Sequence, residues 1–177
     1  MTQASIITDT MRDLIGIESE PSIYEIEKAP IRRWAEAIED PNPLYHDEAY
    51  ARNCGFEAII APPAFLGNYA YPIKGTGVPP YFILSPESPF SKNLAGGNEY
   101  EFFEPVQAGD TITAISKLVD LFERQGRPGI GRMLFQIIET TYRNQKDEVV
   151  VRTRRTDILY EGPAEEGAVQ RKEADRG

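Results

Sequence analysis

Asp40 and His46 lie six residues apart in the string EDPNPLYHDEAYA, and His46 is the only histidine in the chain. An imidazole titrates near neutral pH, which suits it to proton transfer but equally to an exposed or capping place in a loop. A carboxylate lining a cleft is a candidate for chemistry. Just past a helix it also serves as a solvated loop residue, where the dipole disfavours it. Between the two, Asn42 reads as a turn former whose side chain holds the loop. Further along, IIAPPAF places Pro62 and Pro63, which have no backbone N–H, ahead of Ala64 and Phe65, which do. Residues 30–65 therefore concentrate the candidate chemistry. The lone cysteine, Cys54, sits in a polar stretch without the electropositive setting that activates a thiol, and reads as inert.

The elements that must hold these residues follow from periodicity. Residues 11–17 can form a short helix. Residues 22–28 (SIYEIEK) alternate as a strand does, with Ile23 and Glu25 on one side and Tyr24 and Ile26 on the other. Pro30 suits the first position of a helix, and Ile31, Trp34, Ala35 and Ile38 follow at helical spacing, with Trp34 in the core. Pro41 and Pro43 end that helix. Asp47 caps a second one, EAYARN, which Cys54 and Gly55 close. Residues 58–61 are a buried apolar step, after which Pro62-Pro63 start a helix, AFLGNYAY, that Pro72 stops.

Residues 72–97, rich in Pro, Gly and Ser, are expected as a long loop. Residues 98–104, 111–123, 131–144 and 148–160 then read as four strands rich in Val, Ile, Thr, Phe and Tyr. The breaks PVQAGD, RQGRPG and NQKD are consistent with antiparallel hairpins. Ile112, Ala114 and Leu118 fall on one side of their strand, and Ile115, Val119 and Leu121 on the other. Both faces of the sheet then read as apolar, and the second needs a cover such as a partner subunit. A strand, then helices, then a run of strands is the α+β class. The chain divides into an N-terminal segment (1–19), one domain (20–160) and a charged tail (161–177) expected to be disordered.

At 177 residues the chain can bury a sizeable core. A net charge of −9 and a pI near 4.7 exclude nucleic acid as the main partner, because phosphate binding needs a basic face. A single cysteine excludes an intrachain disulfide and a Cys-rich zinc site, and neither a metal cluster nor a phosphate-cradling glycine loop is present. The first residues lack the basic and apolar regions of a signal peptide, and no apolar run approaches the roughly 20 residues of a membrane span, so a cytoplasmic location is expected.

Taken together, EDPNPLYHDEAYA, IIAPPAF and GGNEYEFFEPVQAGDTI resemble the MaoC-like hot-dog dehydratase/hydratase family over about residues 20–160. The likeness is to its N-terminal, fatty-acid-synthase-type dehydratase branch. The resemblance implies a hot-dog fold, an antiparallel sheet wrapped around a central helix, assembled as dimers or double units. It implies acyl thioester substrates and reversible addition of water across an enoyl-CoA or enoyl-carrier-protein double bond. Coenzyme A or the carrier arrives as part of the substrate, with no separate cofactor and no metal. Asp40 and His46 are then the catalytic candidates, sharing one water. Asn42, Tyr45, Pro63, Ala64 and Phe65 are the substrate-binding candidates, with backbone N–H donors at the start of the central helix facing the thioester carbonyl. Arg152, Arg154 and Arg155 either meet coenzyme A phosphates or protect a solvated strand edge.

Two features depart from the family pattern. Its loop reads G-D-x-N-P-L-H, whereas here Tyr45 fills the histidine slot and His46 comes one residue late, which in an extended loop turns a side chain to the opposite side. Where active relatives carry A-H-G, this chain has Ala61-Pro62-Pro63; with Pro63 in the glycine's place, Ala64 or Phe65 must supply the donor. The leading expectation is a hydro-lyase subunit, an enoyl-CoA hydratase or 3-hydroxyacyl thioester dehydratase, working with a second MaoC-like chain that supplies an intact Asp/His pair. A short central helix and a long following loop suit a bulky or branched acyl group. The alternatives are a non-catalytic acyl-CoA-binding or scaffolding subunit, and a self-sufficient homodimeric hydratase using Asp40 and His46.

Overall fold

A computed structural model describes residues 4–68, 72, 74, 88–90 and 92–162. In chain order the elements are α1 (Asp9–Asp13), β1 (Ser22–Glu25), α2 (Lys28–Ala37), a 3-10 turn (Pro43–Tyr45), α3 (Glu48–Asn53), β2 (Lys92–Phe102), β3 (Thr111–Gln125), β4 (Arg132–Arg143) and β5 (Val149–Tyr160). The strands form one antiparallel sheet in the order β1-β3-β4-β5-β2. This is the α+β arrangement expected. Among the described residues no helix is long and apolar enough to cross a membrane.

RQGRPG and NQKD do close the β3–β4 and β4–β5 hairpins. PVQAGD does not close one. β2 pairs with β5, and β3 with β1 and β4, so the chain crosses from one edge of the sheet to the strand beside the opposite edge. The reason lies in where this connection finds its hydrogen bonds. Ala61 N donates to Val106 O at 2.7 Å, Ala108 N to Ile59 O at 2.9 Å and Ile26 N to Asp110 O at 2.9 Å. Its backbone groups are thus satisfied by earlier segments rather than by a returning strand. β2 also starts at Lys92 and takes in Gly96 and Gly97, which composition places in a loop. A register shift falls there, and a Cβ on Gly96 would meet Ile158 and Thr156 at 2.9 Å. Glycine is required by a close approach inside a strand, not by a turn.

One face of the sheet is the core. Ile112, Ala114, Ser116 and Leu118 of β3 and Leu134, Gln136, Ile138, Thr140 and Tyr142 of β4 are buried along it. A register shift between Leu118 and Asp120 returns Leu121 to this face, opposite Gln136, so Leu121 does not lie with Ile115 and Val119. The other face is correspondingly less apolar than alternation suggests. It carries Lys117 and Arg154 paired to Glu139, and a Phe122–Phe135 stack with centroids 4.8 Å apart beneath Arg124.

Two apolar clusters sit on the buried face. The larger gathers Tyr24, Ile31, Ala35, Tyr45, Ile59, Phe65, Val106, Tyr142 and Val151; the smaller joins Ile7, Met11, Leu121 and Leu134. Trp34 packs against the first only partly buried, its indole N–H 3.5 Å from Pro63 O. Two helices start earlier than their sequence signals. α1 begins at Asp9, capped by Thr8, and α2 begins at Lys28, leaving Pro30 in the first turn, where an N–H lacks a helical acceptor in any case. α2 stops at Ala37, ahead of both prolines, because Glu39 adopts φ 55°. The tail 163–177 and most of the segment 69–87 lie outside the described residues.

Candidate functional site

The first wall of the site is the loop that carries Asp40 and His46. Asp40 Oδ1 accepts from Asn42 N at 3.0 Å, and Asn42 Oδ1 accepts from Leu44 N at 3.1 Å, so each polar side chain folds the loop onto its own backbone. Asn42 thus begins the 3-10 turn Pro43–Tyr45, as its turn-forming character predicts. Asp47 Oδ1 then takes Ala49 N at 2.8 Å and Tyr50 N at 3.0 Å, capping α3, and Cys54 closes that helix with its thiol exposed. Lys28 meets Glu48 at 2.6 Å, tying the first turns of α2 and α3 together.

Within this loop the sequence's catalytic pair does not form a pair. His46 Nε2 lies 3.3 Å from the main-chain oxygen of Asp40, not from its carboxylate, and Arg32 holds the His46 carbonyl at 3.2 Å. The side chain that turns inward is Tyr45, which is 7% exposed. One residue of displacement along the loop has exchanged the two directions. The Tyr45 hydroxyl is pushed above its ordinary value of 10.0, first by burial and second by the Asp40 carboxylate, with a hydrogen bond from Asn42 acting the other way. The phenol is therefore neutral at neutral pH.

The second wall is the segment after Ile60. Residues 63–68 form turns, not the first turns of the expected helix, and positions 69–71 are outside the described residues. Ala64 has φ 62° and Gly67 φ 84°, left-handed conformations that a right-handed helix excludes. For an alanine this costs about 1–2 kcal/mol. Pro62 and Pro63 offer no N–H, and Phe65 N already donates to Pro62 O at 3.2 Å. Ala64 N has no acceptor among the described residues, so of the two donors expected here Ala64 alone remains available.

Between the walls lies a cleft of about 330 Å³, lined by Tyr45, residues 60–66, residues 102–106 and Val151. Pro63, Ala64 and Phe65 line it, as their sequence positions propose. Asp40, Asn42 and His46 do not line it, although Asp40 and Asn42 both act electrostatically on the Tyr45 phenol. Phe102, Phe103, Glu104 and Val106 complete the lining, and site-seeking by motif overlooks them. Their signal was available: EFFEPV breaks strand alternation with adjacent aromatics before a proline, and Phe102 and Phe103 remain 55% and 49% exposed.

The three arginines of β5 are already engaged. Arg152 meets Glu101 at 3.0 Å, Arg154 meets Glu139 at 3.0 Å and Arg155 meets Asp157 at 2.6 Å. β5 lies between β4 and β2, so these residues do not protect an edge.

Known proteins share this architecture. Chains in the crystal structure of the ChsH1-ChsH2 complex from Mycobacterium tuberculosis match it with a TM-score of 0.71 at 20% identity, covering 89% of this chain and 93% of that one. The C-terminally truncated HadBC (3R-hydroxyacyl-ACP dehydratase) complex from the same organism matches with a TM-score of 0.65 at 21% identity, covering 82% and 97%. Both support the hot-dog fold. In sequence, a UPF0336 protein of Thermobifida fusca is 37% identical over 113 residues, 62% of this chain and 71% of its own length. A probable enoyl-CoA hydratase alpha subunit of Thermomonospora curvata is 29% identical over 151 residues, 80% of this chain but 47% of that protein, so the chain spans about half of that relative. Residues 13–153 match the profile of the FAS1-like dehydratase domain region. The chain belongs to that dehydratase family and has the hot-dog fold.

Proposed function

We propose that this chain is one subunit of a hydro-lyase that adds water reversibly across the double bond of an enoyl thioester. A second hot-dog chain brings the intact Asp/His pair. The observation that carries the reading is the inward turn of Tyr45 with the outward turn of His46. In hydration the water oxygen bonds to the β-carbon while water gives a proton to a base, and a proton is delivered to the α-carbon. The base must accept that proton near neutral pH. A buried phenol whose pKa is raised above 10.0 is a poor candidate, and the imidazole is engaged outside the cleft. What the chain retains is a binding surface: an apolar cleft and the unused Ala64 N–H, one preorganised donor for a thioester oxygen as charge builds on it.

Three further points support a two-chain enzyme. The hydratase relative is called an alpha subunit, and the ChsH1-ChsH2 and HadBC structures are both complexes of differently named chains. Among the described residues β2 pairs only with β5, and its 11 residues are exposed over nearly their whole length. A long open edge with exposed Leu94, Phe102 and Phe103 beside it suits a neighbouring sheet. Acyl groups carried on coenzyme A or on a carrier protein both fit this reading. The test is to purify the chain alone and together with a hot-dog chain encoded beside its gene, and to follow hydration of an enoyl-CoA. Turnover should need both chains, with the single chain at least about 100-fold slower, the scale of one missing acid–base group. Full activity from the single chain would overturn the partner requirement.

A further inference from the structure

The cleft is lined by apolar side chains, with Glu104 at its wall, yet it contains two hydrogen-bond donors that no described residue accepts from. One is the N–H of Ala64, a cleft-lining residue with a left-handed backbone and no acceptor among the described residues. The other is the hydroxyl of Tyr45, a residue more than nine-tenths buried whose proton finds no acceptor among the described residues. The Asn42 side chain near it is itself held by Leu44 N at 3.1 Å. Both donors suit a ligand that brings an acceptor inside an apolar body.

We propose that Tyr45 is a specificity-determining binding residue, its hydroxyl donating to the carbonyl oxygen of an acyl thioester lodged in this chain's own cleft. The inference rests on the acyl-thioester reading above and deepens it. The substitution at the histidine slot has exchanged a group that titrates near neutral pH for one that only donates, so the cleft grips the thioester without activating water. Ala64 N–H is the second donor available to the same class of oxygen. An aliphatic acyl chain of moderate length matches the remaining walls, Ile60, Phe102, Val106 and Val151.

The test separates the carbonyl from the rest of the ligand. Octanoyl-CoA and S-octyl-CoA, a thioether with the same chain and no carbonyl, are titrated calorimetrically into the full-length chain and into Tyr45→Phe. The wild type should favour octanoyl-CoA. The variant should bind it about tenfold more weakly, as expected for one lost hydrogen bond, and should keep its affinity for S-octyl-CoA. Retained thioether binding also reports that the variant's cleft is intact. Equal losses for both ligands, no loss for either, or a wild type indifferent to the carbonyl would each overturn the proposal. Turnover by the two-chain enzyme is measured separately. Hydration with no Tyr45-dependent carbonyl preference sinks this inference alone, whereas carbonyl-specific binding without hydration in any combination sinks the functional reading.

Discussion

The buried face of the sheet is finished differently at its two ends. At one, Leu121 and Leu134 meet Ile7 and Met11 of the N-terminal segment, with Leu159 and Phe90 packed alongside. At its rim the Glu123 carboxylate takes the Ser5 hydroxyl and Ile6 N at 2.9 Å and meets Arg132 at 2.6 Å, while Gln136 Oε1, opposite Leu121, is buried with no partner among the described residues. At the other end, among the described residues, Tyr45, Val106 and Val151 border a cleft whose donors have no acceptor. The same alternating strands run through both ends, so the sheet itself does not distinguish them. What differs is the covering segment. A capped N-terminal helix covers one end, whereas among the described residues two prolines and a left-handed alanine border the other.

That contrast can be broken from the sealed end first. Leu134 is fully buried, and Leu134→Ala should cost about 2–5 kcal/mol in chemical denaturation, leaving acyl-CoA affinity of the folded fraction unchanged. A loss below about 1 kcal/mol would mean that this cluster tolerates a cavity and is not the seal it is taken for.

A smaller effect depends on pH. Glu123 is held down to about 2 from an ordinary 4.5, chiefly by the Ser5 hydroxyl and then by Arg132 and the Ile6 and Ile7 N–H groups. A depressed carboxylate contributes stability above its unfolded value and loses it as pH falls through its folded one. The stability gap between wild type and Glu123→Gln should therefore be full above about pH 4.5 and shrink steadily towards pH 2. A gap that stays constant over that window would show that the carboxylate's charge does not hold the N-terminal segment.

The smallest change sharpens the open end. Ala64→Gly removes the left-handed penalty but adds freedom to the unfolded chain, a net gain of under about 1 kcal/mol by thermal unfolding. Because the N–H remains, octanoyl-CoA affinity should be kept. A destabilised glycine variant would mean that Ala64 is not strained as its backbone angles indicate.

Much of this molecule was legible from short-range signals. The Asp47 cap on α3, the Asn42 turn and the hairpins joining β3, β4 and β5 depend on side-chain and backbone groups within a few residues of each other, which sequence records directly. The departure at Tyr45 and His46 was visible as a one-residue displacement. Other features were decided at longer range. The crossing at PVQAGD follows from hydrogen bonds to residues 59–61 and 26, and the placement of Leu121 from one register shift against β4. The strand at Gly96-Gly97 follows from the approach of Ile158.

Sequence by itself therefore determined the family, the strands β3 to β5 and, at the cleft, Tyr45 and residues 63–65. Tertiary structure alone decided which of them face the cleft. It set the phenol inward and the imidazole against a main-chain carbonyl, and it left Ala64 N without an acceptor among the described residues. The physical reason is that propensity and capping act along the chain, whereas the direction of a loop side chain is settled by what packs against it from elsewhere.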